Sequence, residues 1–127
     1  MSVGTFDPNA GPASLDVDTV KALLAATEKA GVEALDAQQV QEFAPLITAD
    51  WSEVASALAS AEIESLIHVF TLGEAQYVAW TADAKSAVIP LVRELKNRGE
   101  YDKTMTTWIK AHTDNKFLPH GSLMDRL

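Results

Sequence analysis

Three histidines, His68, His112 and His120, carry the most versatile chemistry in a chain that has no cysteine. An imidazole can ligate a metal, shuttle a proton or accept a phosphoryl group, so its neighbours decide its use. Glu64 and His68 are four residues apart and share one face of a helix. Carboxylate-bridged di-metal bundles need Glu-x-x-His pairs from two helices, plus further glutamates. The chain has no such pair, and Glu64–His68 reads as a surface contact worth about 0.2–0.5 kcal/mol. His112, Asp114 and His120 can converge only if the end of the chain folds back. No metal and no cofactor are expected.

A phosphorelay histidine in an HxxKG pattern has no counterpart here. The stretch "HVFTLGEA" has Thr71 where the lysine would stand, and Gly73 comes one residue late. Phosphate cradles of the GxGxxG or GxxxxGK[ST] type are absent, and the 6 glycines are isolated. Neither a GxSxG elbow nor an SxxK pair marks a nucleophile. The sequence assigns no catalytic residue and no enzymatic activity.

Binding chemistry is richer in the last third. Trp108, Lys110, His112, Lys116, Phe117 and His120 interleave aromatic and basic side chains, and these six are the candidate binding residues. Such a series can contact a partner protein or stack on single-stranded nucleic acid. The structural alternative puts Trp108 in the core and leaves the lysines solvated. A third arrangement is a small-ligand pocket between the fourth helix and the terminal stretch, with Glu74, Tyr77, His112 and His120 as its polar groups.

Charge narrows the partners. The net charge of the 127 residues is −8. Residues 1–84 contain two basic residues, Lys21 and Lys29, against 13 acidic ones, a net of −11. Residues 85–127 hold 8 basic and 5 acidic residues, a net of +3. Overall acidity opposes general binding to nucleic acid or to an anionic membrane. The asymmetry suits attraction between the two halves, within one molecule or between two, or an acidic partner for the basic end; solvated faces that simply differ in charge are the plain alternative.

Helices must position these residues. Hydrophobic residues make up 47% of the chain, enough for one core, and glycine and proline gather at the ends and at breaks. Twenty alanines contribute little volume, so Trp51, Trp80, Trp108, the phenylalanines and the aliphatic residues must fill the interior. Residues 1–13, with Gly4, Pro8, Gly11 and Pro12, read as a flexible arm. The first helix is expected from Leu15 or Asp16, with Val17, Val20, Leu23 and Leu24 in one stripe and Gly31 as its stop. Asp36 caps a second helix that ends near Pro45. Asp50 and Glu53 suggest a capping box for a third helix from Trp51 to Leu58.

Ser60 is the expected cap of the fourth helix. Its apolar face runs through Ile63, Leu66, Ile67, Phe70, Tyr77 and Trp80, with Gly73 admitting a neighbouring helix or marking a bend. Ser86 or Asp83 caps a fifth helix that accepts Pro90 in its first turn and stops at Gly99. Asp102 caps a sixth, with Met105, Trp108 and Ile109 inward. "HTDNKFLPHGSLMDRL" then abandons helical periodicity but keeps Phe117, Leu118, Leu123, Met124 and Leu127. It reads as a strap over an apolar groove, or as a docking element.

The expectation is an all-α single compact domain of five to six helices, as a bundle or an orthogonal array, over residues 14–127. It carries the flexible N-terminal arm and the C-terminal strap. No stretch resembles a secretory signal or a membrane span, so a cytoplasmic location is expected. The functional expectation is a small acidic regulatory or adaptor module acting through protein–protein contacts, self-association included. The alternatives are a nucleic-acid-associated protein using the last third and a small-ligand-binding helical domain.

Overall fold

Val20 and Leu23, both fully buried, anchor the first helix, α1 (Val17–Thr27), on the rest of the chain. The computed structural model describes residues 17–28, 31–82, 85–113, 115 and 118. Among them are six α-helices and no strand, so the protein is all-α. The others are α2 (Ala37–Phe43), α3 (Ser52–Ala57), α4 (Ser60–Gln76), α5 (Val88–Asn97) and α6 (Lys103–His112). Short 3-10 turns at Val32–Ala34, Ala44–Thr48 and Val78–Trp80 connect them. The flexible-arm segment, residues 1–13, lies outside the described residues, as does the expected start of α1 at Leu15 or Asp16.

Local chemistry sets most helix ends. Gly31 takes φ 74°, a left-handed conformation that costs glycine little, and turns the chain out of α1. Asp36 Oδ1 accepts the Gln39 backbone N–H at 2.8 Å, and Gln39 Oε1 accepts that of Asp36 at 3.0 Å. This reciprocal box satisfies two donors at the start of α2. Pro45 falls in the tighter 3-10 turn that follows. After α5, Gly99 (φ 72°) donates to Lys96 O at 3.0 Å and Glu100 to Leu95 O at 2.9 Å. That is the paired closure of a Schellman end. Asp102 Oδ1 caps α6 through the Thr104 N–H at 2.8 Å.

Two helix starts differ from expectation. Helix α3 starts at Ser52, one residue later than expected, and the Trp51 side chain makes no capping bond there. Trp51 is instead fixed by burial and by its Nε1–H, which donates to Leu46 O at 2.8 Å. Ala59, not Ser60, precedes α4, and Glu62 Oε1 accepts its N–H at 2.9 Å. The Ser60 hydroxyl is diverted to Glu100 and to Arg98 Nη1. Ser86 Oγ accepts the Val88 N–H at 3.2 Å as α5 begins, whereas Asp83 lies outside the described residues.

Helix α4 is the central element. It packs against α1, α5 and α6 and is most extensively covered by α5. Ile63, Leu66, Ile67 and Phe70 are fully buried along it. It ends at Gln76, so Trp80 belongs to the next turn and folds back towards α4. Trp51 and Phe70 meet edge-on at 5.6 Å, and Phe70 and Trp80 at 6.0 Å. Trp80 Nε1–H donates to Val40 O at 2.8 Å. Both buried indoles thus add apolar area without stranding a donor.

Arg98 joins the ends of three helices. Its Nη2 donates to the carbonyls of Ala55 (3.1 Å) and Leu58 (2.8 Å), and its Nε to Glu94 Oε2 (2.9 Å). These carbonyls lie at the C-terminal end of α3, where intrahelical donors run out. Past α6 the chain turns back: Thr113 Oγ1 accepts the Asn115 N–H, and Leu118 is fully buried.

Candidate functional site

A groove of about 500 Å³ lies between α1 and α4. Leu24, Thr27 and Glu28 line one wall, followed by Gly31 and Val32. Ala61, Glu62, Ser65, His68, Val69 and Leu72 line the other. The second set recurs at helical spacings of three and four, hence on one face of α4. That face is adjacent to the Ile63–Leu66–Ile67–Phe70 stripe. Ala61, Ser65 and Gly31 are small, and among the described residues no other side chain fills the space they leave between two helices.

Specific bonds hold the walls. Thr27 Oγ1 donates back to Leu23 O at 2.9 Å. The Gly31 N–H reaches Thr27 O at 3.0 Å, which starts the turn that places Val32. The Tyr77 hydroxyl donates to Val32 O and ties that turn to the end of α4. Val32 and Val69 are buried, while Leu24 and Leu72 remain partly open. Glu28 and Glu62 add carboxylates to this apolar lining. Lys21 Nζ lies 3.8 Å from Glu62 Oε2, a solvent-exposed pair of small energetic weight.

His68 joins the groove to α6. Its ring lies 4.3 Å from the Trp108 ring, tilted by 40°. His112 stacks on the same indole at 4.3 Å and 22°. His112 Nδ1 is 2.7 Å from Trp108 O. A carbonyl only accepts, so Nδ1 carries the proton in that contact. Partial burial pushes the His68 pKa below its ordinary value; Glu64 opposes this shift and His112 adds to it.

Of the six residues singled out on sequence grounds, the structure brings Trp108 and His112 together and adds His68. Lys110 sits half-buried on the same helix. Lys116, Phe117 and His120 lie outside the described residues. Glu74 accepts from Ser86 and, at 3.3 Å, from Asn115 Nδ2, so it ties α4 to the chain beyond α6. Tyr77 is engaged at Val32 as above. Sequence spacing places His68 on the Glu64 face but has no means of pairing it with Trp108, forty positions away.

Ser65 and His68 both line the groove, but among the described residues no hydrogen bond joins them, and a nucleophile–base pair needs one. Nor is any group of three or more His, Asp or Glu side chains among the described residues placed to hold a metal ion. Among the described residues no helix is long and apolar enough to cross a membrane. Comparison of the chain with protein-family models, with curated proteins and with solved structures gives no match.

Proposed function

We propose that the protein is a small regulatory or adaptor module that receives a segment of another protein in the α1–α4 groove. The supporting observation is the groove itself: an open, mainly apolar trough on a small helical domain, with a few polar groups at its edge. Concave apolar surfaces with sparse polar groups are the usual form of a binding site. Helix-in-groove recognition is a common way for helical domains to hold protein segments.

Substituting Ser65→Trp tests this reading. Ser65 is exposed on the groove wall, so an indole there obstructs the trough without entering the core. A protein retained by the wild type and lost by S65W, with the melting temperature unchanged, supports the proposal. Identical retained proteins for both forms argue against it.

The nucleic-acid reading has less support. Arg98 is committed to backbone carbonyls, and Lys96 Nζ lies 5.4 Å over the Tyr101 ring. These basic groups of the α5 region are engaged within the molecule. Salt-sensitive binding to a single-stranded oligonucleotide, weakened by neutralising Lys110, would restore that alternative.

A further inference from the structure

We propose that the segment held in the α1–α4 groove is a basic amphipathic helix. Its apolar face meets Leu24, Val69 and Leu72, and its lysine or arginine side chains meet Glu28 and Glu62. This inference rests on the groove being a protein-binding site and adds the chemistry of the occupant.

Backbone chemistry argues for a helix. Both walls are helical, and their N–H and C=O groups are largely engaged within their own helices. An extended peptide laid in the trough would find no sheet edge and would leave its own backbone groups unpaired against an apolar surface. A helical occupant satisfies its backbone internally and presents only side chains. The lining face of α4 runs from Ala61 to Leu72. At about 1.5 Å per residue that is roughly 16 Å, the length of three helical turns.

Charge argues for a basic occupant. Every lining residue belongs to the part of the chain, residues 1–84, that carries a net −11. Lys21 is the one lysine or arginine among the described residues before position 85. It approaches Glu62 no closer than 3.8 Å, and Glu62 Oε1 is already used at Ala59 N, which fixes this carboxylate at the rim. An acidic or neutral helix would cover these carboxylates without compensation. A basic one pairs with them and is also steered by the wider negative field.

The test is an NMR titration of the full chain that follows the methyl groups of Leu24, Val69 and Leu72. Three synthetic helices of about 14 residues share one leucine face and differ in bearing lysine, glutamine or glutamate on the other. The lysine peptide is expected to shift these methyls. Its affinity should fall about tenfold in the E28Q/E62Q double variant, and by a similar factor for the glutamine peptide. The amide that replaces the Glu62 carboxylate keeps an oxygen for the Ala59 N–H, so the fold is retained.

Equal binding of all three peptides at these methyls overturns the charge assignment and leaves the groove reading standing. Lysine-peptide binding unaffected by E28Q/E62Q does the same. No shift with any peptide overturns both. Shifts produced by raising the protein concentration alone would place a second copy of the chain in the groove and overturn the basic helix as its occupant.

Discussion

The indole of Trp80 occupies the space that a β-carbon on Gly73 would need. A Cβ built at Gly73 falls 2.2 Å from Trp80 Cε3 and 2.3 Å from Cζ3. The ring cannot withdraw easily, because its Nε1–H is held by Val40 O, and Phe70 and Tyr77 pack against it in edge-type contacts. Gly73 therefore admits an aromatic side chain from the turn after its own helix. Gly73→Ala is expected to lower stability by about 2–3 kcal/mol, even though alanine favours helices. Urea unfolding of the variant measures this, and an unchanged midpoint would contradict the close approach.

Arg98 should tolerate substitution poorly for its position near a helix end. Arg98→Ala takes the guanidinium donor from the Leu58 carbonyl and leaves the Ala55 carbonyl only the Leu58 N–H, and is expected to cost about 2 kcal/mol. Arg98→Lys keeps the charge but lacks the planar fork that reaches Glu94, Ser60 and α3 together. It should recover less than half of the loss. Equal stability of the lysine variant and the wild type, in chemical denaturation, would show that charge alone matters there.

Leu118 is fully buried although it lies beyond α6. Leu118→Ala should destabilise the protein by about 3 kcal/mol, as for other leucines removed from a core. A drop below about 0.5 kcal/mol in thermal or urea unfolding would show that this stretch is dispensable to the fold.

His68 gives stability a pH dependence of known sign. Its folded pKa lies below its ordinary value of 6.5, so the unfolded chain takes up the proton first as pH falls. The contribution is complete above the ordinary imidazole range and is lost as pH falls through it towards the lower folded value. Glu64 on its own helix pulls against this, and His112 on α6 adds to it. Melting temperatures at about pH 8 and about pH 5.5 should therefore fall more for the wild type than for His68→Gln. Equal falls would remove His68 as a source.

Much of the fold is legible in local sequence because helix ends are decided locally. Asp36, Asp102, Gly31 and Gly99 act within a turn of their own positions, and the structure uses each as its residue type suggests. Ser60 is harder to read, because a hydroxyl has competing partners. Arg98 and Glu100, distant in sequence, take it, and Glu62 serves the helix start instead. Trp80 matches the periodicity of α4 by coincidence of spacing. Nothing nearby announces that the helix stops at Gln76 and that the ring returns over Gly73.

The groove is illegible for the same reason. Its lining residues are ordinary, and small side chains at Ala61 and Ser65 signal nothing until α1 is placed beside them. The sequence draws attention to the aromatic and basic last third, where chemical variety is greatest. Trp108 does contact the groove's own His68, so that region and the groove meet at one imidazole.

The three tryptophans fall into two environments: Trp51 and Trp80 are enclosed and both meet Phe70, whereas Trp108 is half-covered between two imidazoles. The molecule thus carries its own optical reporters. Fluorescence from the two enclosed rings follows the integrity of the interior. Emission from the third registers events at the protein's edge, and imidazolium quenching would give it a protonation signal. Replacing one tryptophan at a time by phenylalanine separates the channels, so that occupancy of the trough and loss of the fold can be watched independently in one cuvette.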